Sequence, residues 1–305
     1  MSTLLQQILN GVALGSIYAL IALGYTMVYG VLNLINFAHS DVYMIGAFLG
    51  FFAAAWIGVA DAPSIAGTGA VLVVAMVLCG LLGLTIERFA YRPVRRAPRL
   101  TPLITAIGVS MFLQNLAQVV FGPNPRTFPE ILRQRTYQFG PVSTSNHTLL
   151  ILAVALVLLV GLHLFVSRTW TGKAMRAIAF NLDASRLMGI PTDRIIAYTF
   201  LVGSMLAAAA GVLVGLREGQ IRPLMGNIYG LKAFVAAVLG GIGNIPGAML
   251  GGLVIGLVEV IVSGLPPIGD FDPSQYRDAV TFLVLIGVLI VKPTGLLGVV
   301  RTEKV

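Results

Sequence analysis

The sequence predicts an all-α integral membrane protein, a polytopic bundle of about eight to nine transmembrane helices with broken or re-entrant segments. Three observations carry that prediction. Hydrophobic residues fill 57% of the 305 positions and charged residues only 10%, where a soluble domain carries about 25% charged residues. The apolar residues gather in runs of about twenty, the length that crosses a hydrocarbon core ~30 Å thick. The charges gather between the runs, and Lys and Arg (20) outnumber Asp and Glu (12). The resulting net charge of +8 reads as membrane topology rather than nucleic-acid binding, because cytoplasmic loops carry an excess of Lys and Arg. Little length is left for a soluble domain, so one transmembrane domain, 1–305, is expected.

In chain order the apolar runs are 5–28, 42–60, 67–86, 102–121, 148–166, 195–216, 232–242, 246–265 and 276–291. The first lacks the basic stretch of a cleavable signal peptide, and no Lys or Arg precedes Arg88. The run 232–242 is too short to span alone and reads as part of a broken or re-entrant helix. Cys79, the single cysteine, lies in an apolar run and has no internal disulfide partner. Arg88, Arg92, Arg95, Arg96 and Arg99 crowd one loop, and Arg168, Lys173, Arg176, Arg186 and Arg194 another. Two runs separate these loops, so both fit on the cytoplasmic side, together with a C-terminus that holds Lys292, Arg301 and Lys304. Asp270–Asp272 then falls outside. So does 122–146, against the presence of Arg126, Arg133 and Arg135. Three runs before Arg88 place the N-terminus outside. Small-xxx-small pairs recur (Gly11/Gly15, Gly46/Gly50, Gly211/Gly215, Gly247/Gly251 and Gly252/Gly256). They fit close helix packing within the bundle, or a pore or subunit interface.

Three stretches depart from plain apolar helix. Around 30–43, Asn33, Asn36, His39, Ser40 and Asp41 interrupt an apolar region. Polar groups at membrane depth mark functional sites, and discontinuous helices place backbone at a substrate. The same residues also read as a loop in which Ser40 or Asp41 caps the next helix. Around 237–259, Gly240, Gly241, Gly243, Pro246 and Gly247 force a turn or break. Glu259 follows as a lone acid in an apolar run, either paired within the bundle or lining the path. The pore-side candidates are therefore Asn36, His39, Asp41, Asn244 and Glu259.

The loop 168–194 is the most informative stretch. A short amphipathic helix, with Ala174, Ala177 and Ile178 on one face, precedes a second helix at 184–188. Gly189 ends it and Pro191 prevents its continuation, while Thr192 and Asp193 are positioned to cap the next span. A helix-turn-helix projecting from the membrane suits docking into a groove on another protein, and its charges also suit anionic headgroups of the lipid bilayer. No nucleotide site, metal motif or nucleophile elbow is found, so no enzyme and no cofactor is expected. Gly172-Lys173 lacks the hydroxyl residue and upstream glycine of a phosphate-binding loop.

Four stretches in order resemble the LivH type permeases of the high-affinity branched-chain amino acid ABC transporters. They are NGVALGSIYALIALGYTMVYGVLNLINFAHSDVYMIGAF at 10–48, AFNLDASRLMGI at 179–190, GGIGNIPGAMLGGLVIGLVE at 240–259 and VKPTGLLG at 291–298. The pattern departs at Ser40, where glycine is expected, and at Asp41, where glutamate or a small residue is expected. The resemblance implies a bacterial inner-membrane subunit with a cytoplasmic C-terminus. It implies a second permease of the LivM type, two ABC ATPase subunits beneath the pair, and a periplasmic binding protein that delivers leucine, isoleucine, valine or related amides. It also implies that 168–194 is the loop that couples to the ATPase, through Arg176, Ala177, Asn181, Asp183, Ala184, Leu187, Met188 and Gly189. A self-sufficient ion- or proton-coupled transporter, with His39, Asp41 and Glu259 as its relay, is the competing expectation. It leaves 168–194 without a task.

Overall fold

The computed structural model describes residues 2–95, 97–98, 100–140, 142–267 and 272–298. Arg96, Arg99, Asp270, Arg301 and Lys304 of the charge pattern lie outside them. The helices in chain order are α1 (Ser2–Leu32), α2 (His39–Ile57), α3 (Ile65–Ile86), α4 (Arg92–Val94), α5 (Leu100–Phe121), α6 (Asn146–Arg168), α7 (Trp170–Phe180), α8 (Leu182–Leu187), α9 (Thr192–Glu218), α10 (Met225–Gly240), α11 (Ile245–Ser263) and α12 (Arg277–Val291). A π-helical stretch, Glu87–Tyr91, joins α3 to α4. Eight helical spans among the described residues are long and apolar enough to cross a membrane, the last being α12 extended backward by the 3₁₀ turn Pro273–Tyr276, and α10 is a shorter apolar helix. All nine apolar runs of the sequence are thus helical. Short strands add what the apolar pattern does not show: β1 (Arg126–Thr127) pairs with β4 (Gln220–Ile221), and β2 (Thr136–Phe139) with β3 (Val142–Ser145).

Burial sorts the helices into layers. α1 and α9 form the centre, with 94% and 83% of their spanning windows buried, while α5 and α12 stand at the periphery with 17% and 6%. Glycine sets the central spacing. A Cβ on Gly15 of α1 would lie 2.7 Å from Leu253 Cα, and one on Gly252 of α11 2.5 Å from Ala19 N. Gly46 meets Ala208 and Gly50 meets Val212, Gly211 sits on the α2 backbone at Tyr43 and Ala47, and Gly247 and Gly251 pack on α10. The small-residue pairs are therefore used for close helix approach inside this chain.

Both expected breaks are present. Asn33, at φ +52, ends α1. Gly46 pairs with Ala208 and Gly50 with Val212 along parallel helices, so α2 begins level with a point about nine residues, or ~13 Å, along α9. The segment 33–38 thus dips toward mid-membrane. The helix begins at His39, and its N-cap is Ala38 with no side-chain bond. Neither Ser40 nor Asp41 caps it. Ser40 Oγ instead donates back to Phe37 O at 3.0 Å. At the second break, Gly241 (φ +104) and Gly243 (φ +91) separate α10 from α11. The stretch 292–298 closes over this break: Leu296 N donates to Leu239 O at 2.8 Å and Leu297 N to Gly240 O at 3.0 Å. Those carbonyls end α10, and at membrane depth an unpaired carbonyl is costly.

The two basic clusters meet at one end of the bundle. Arg92 Nη2 lies 2.6 Å and Arg95 Nη1 3.1 Å from the Asp193 carboxylate. Asp193 and Thr192 therefore do not cap α9, whose N-cap Pro191 has no side-chain bond. Thr192 Oγ1 accepts from Arg186 Nε at 3.3 Å instead. Arg126 of the opposite end is held locally. Its Nη2 donates to Phe121 O at 2.6 Å, and its guanidinium stands over the rings of Phe51 and Phe52. A cation at the last carbonyls of α5 answers that helix's dipole, which gives it a structural use.

Candidate functional site

The loop 168–194 forms two capped helices. Thr169 Oγ1 accepts from Gly172 N at 3.0 Å to start α7, whose inner face buries Gly172, Ala174, Met175 and Ile178. Arg176 reaches back from α7 to donate to Val166 O, and Ala177 is half-buried. Asn181 ends α7 and starts α8, its Oδ1 accepting from Ala184 N at 2.9 Å. α8 runs over Leu182–Leu187 rather than 184–188, because that cap sits earlier than the small residues suggest. Asp183 pairs with Arg186 at 3.4 Å, Ala184 is exposed, and Gly189 takes φ +78 with open space around it. Phe180, Leu187 and Met188 are 91%, 89% and 82% exposed. These are three large apolar side chains left bare on the α7–α8 pair, and exposed apolar surface of this kind favours cover. Phe180 is absent from the sequence candidates. Its signal is a bulky aromatic immediately before a capping Asn.

Behind this pair lies a charged collar. Glu87 is buried and pairs with Arg95, whose side chain is also buried. Burial disfavours the charged guanidinium of Arg95, and Asp193 offsets part of that. One turn on, Tyr91 OH donates to the buried Asn36 Oδ1 at 2.7 Å. Three sets of contacts, Arg186–Thr192, Arg92 and Arg95 on Asp193, and Tyr91–Asn36, thus lie between α8 and the first break, joined by the backbone of 91–95 and 192–193. A cavity of about 580 Å³ is lined by Asn33 of the first break, Asn244 of the second, and Arg176 of α7. Both breaks and the loop helix share one space.

The five pore-side candidates occupy separate surroundings. Asn36 is tied to Tyr91. His39 is buried, packs onto the bare backbone of Gly24, and sets its ring 4.8 Å from that of Tyr25. Asn244 caps α11 through Gly247 N (3.1 Å) and donates to Leu297 O (2.7 Å). Glu259 is buried in an ionic group: Tyr18 OH donates to Oε2 and Lys232 Nζ to Oε1, each at 2.7 Å. Lys232 also lies 2.7 Å from Asp278. Asp41 and His39 differ from the other three: His39 Nε2 is buried without a hydrogen bond, and Asp41 more so. Both of its carboxylate oxygens are buried without a hydrogen bond, and Ser110 and Gln114 are the polar side chains within reach of them.

Those two belong to a stripe that the apolar reading of 102–121 missed. Ser110, Gln114 and Gln118 recur every fourth residue on half-buried positions of α5. Gln114 Nε2 donates to Ser110 Oγ at 3.1 Å and to Asn227 Oδ1 of α10 at 3.0 Å. Among the described residues no cluster of three or more His, Cys, Asp or Glu fit to hold a metal occurs.

The sequence matches the family described as branched-chain amino acid transport system / permease component over residues 7–289. It is 46% identical to the high-affinity branched-chain amino acid transport system permease protein BraD of Pseudomonas aeruginosa, covering 99% of this chain and 98% of that protein. It is 44% identical to the corresponding LivH protein of Escherichia coli K12, over 99% and 97%. Among solved structures, PsaBC from Streptococcus pneumoniae in complex with Fab aligns at TM-score 0.45 and 13% identity, covering 95% of this chain and 94% of that one.

Proposed function

The chain belongs to the permease components of branched-chain amino acid transport systems, and on that premise we propose how it works. It is the membrane-spanning subunit of an ATP-binding cassette importer for branched-chain or related amino acids. Energy comes from a separate ATPase, and a binding protein delivers the substrate. One transmembrane domain, without an ATPase site of its own, carries the path. The end that bears α7 and α8 faces the cytoplasm and the C-terminus lies on the same side, in keeping with the meeting of the basic clusters there. A second permease of the LivM type completes the path.

The observation that carries this reading is the bare apolar turn Phe180, Leu187 and Met188 on a capped helix pair. Such a knob suits a groove on the ATPase. Arg176, Ala177, Asn181, Asp183, Ala184 and Gly189 give the knob its shape. The ATPase's change of shape would pass through the Thr192–Asp193 collar and the shared cavity to both breaks. Asp41 and the α5 stripe are the wall of the path, because polar groups on a peripheral helix at membrane depth need a neighbour other than lipid. Asn36, His39, Asn244 and Glu259 hold the breaks and the bundle in place. A self-sufficient transporter relaying through His39, Asp41 and Glu259 gains no support, since no hydrogen bond or ion pair among the described residues joins the three.

The test is Leu187→Asp with Met188→Asp in the assembled transporter. Both side chains are exposed, so the thermal midpoint should stay within a degree or two of the parent, because surface changes cost roughly 0.5 kcal/mol or less. The ATPase should no longer co-purify and uptake should cease. Normal uptake would remove the docking claim.

A further inference from the structure

A cavity of about 300 Å³ opens at the end opposite the α7–α8 pair, at the lower edge of the size range of small-molecule sites. Arg217 and Glu218 end α9, Ser263 ends α11 and Arg277 begins α12, and all four line it. Its charges are unevenly matched. Lys232 and Glu259 satisfy each other, Arg277 stands 3.8 Å from Asp278, and Glu218 Oε1 accepts from Tyr229 OH at 2.7 Å. Arg217 and Arg222 have no ion pair among the described residues. Arg217 Nη1 is buried with no hydrogen bond at all. A buried donor left open is costly, and a carboxylate is the acceptor that suits a guanidinium best. Beside the arginines, Leu14, Ile228 and Val260 supply an aliphatic wall.

We propose that this cavity is a receiving site for a free branched-chain amino acid, with Arg217 and Arg222 holding its carboxylate, Glu218 its ammonium group, and Leu14, Ile228 and Val260 its side chain. The proposal rests on the import reading above, which turns this end toward the side where the binding protein releases its load. α9 runs 27 residues, so the cavity lies ~40 Å from the docking turn.

A cysteine reporter tests it in the complete transporter. The chain's one cysteine, Cys79, is buried, so Ser263→Cys places a reactive thiol in the cavity wall. The rate of its labelling by a charged thiosulfonate is measured with L-leucine, leucinamide or acetate present. At twice the dissociation constant a ligand occupies two thirds of the sites and slows labelling about threefold. L-leucine should protect, whereas leucinamide, which lacks the carboxylate, should not. Adding Arg217→Gln should weaken the protection roughly tenfold in leucine concentration, the order of one charge-assisted hydrogen bond. Arg222→Gln, at an exposed position outside the ionic group, should weaken it independently. Equal protection by leucine and leucinamide, equal protection by acetate, or protection unchanged in both arginine variants would overturn the site. ATP-driven leucine uptake by the parent transporter is measured in parallel. Uptake without protection removes the receiving site alone, and absence of any amino-acid uptake removes the import reading itself.

Discussion

Lys232→Met isolates what the buried ionic group does. Lys232 and Glu259 are 4% and 6% exposed, and among the described residues their 2.7 Å contact is the only cation contact of Glu259 closer than 3.9 Å, the distance of Arg277 Nε. Removing the lysine leaves a buried carboxylate with the Tyr18 hydroxyl and one distant guanidinium. Stranding a buried charge in this way costs about 3–5 kcal/mol. The double variant Lys232→Met with Glu259→Leu removes both charges of this pair and keeps the volume, while half-exposed Asp278, which loses Lys232 in either variant, keeps Arg277 at 3.8 Å. Replacements of this kind range from neutral to about 4 kcal/mol stabilising, less about 1–3 kcal/mol for leaving the Tyr18 hydroxyl without its acceptor. The double variant should therefore sit close to the parent and well above the single one. Unfolding of the purified protein in mixed micelles with increasing SDS, followed by circular dichroism, measures both differences. A single variant within about 1 kcal/mol of the parent, or a double variant as unstable as the single, would refute the assignment of Glu259 to the framework.

Two further outcomes follow from the packing. Gly256→Val drives a side chain into the α1 backbone at Gly15, so folded monodisperse protein should be lost in detergent size-exclusion chromatography, while Gly287→Ala in α12, with open space around it, should elute unchanged. Tyr91→Phe leaves the buried Asn36 Oδ1 without its donor; stability should fall by about 1–3 kcal/mol, and ATP hydrolysis should become less tightly coupled to uptake, read as more ATP used per leucine carried.

Much of the fold was legible because membrane helices announce themselves by length and composition. Every apolar run became a helix, and glycine clusters such as Gly240–Gly243 marked the break between α10 and α11 because no helix tolerates them. Boundaries slipped at the caps: α2 starts three residues before Val42, behind Ala38, which has no capping side chain, and α8 starts behind Asn181, an ordinary cap that sits earlier than the small residues suggest. The exposed turn after α8 was readable from Leu187, Met188 and Gly189. The bonding of the polar residues was not, since polarity alone cannot separate a lining residue from a satisfied one. Asn36, Asn244 and Glu259 carry bonds that depend on residues 53 to 241 positions away. The α5 stripe escaped notice because Ser110, Gln114 and Gln118 are diluted among apolar neighbours, and only the helical period aligns them.

The most direct measurement is leucine uptake into proteoliposomes that hold this chain with an ATPase and the proposed second permease, supplied with ATP inside and the loaded binding protein outside. The account predicts uptake that needs ATP, the binding protein and the ATPase together, and none from liposomes holding this chain alone. Uptake by the chain alone, driven by an ion or proton gradient without ATP, would contradict it.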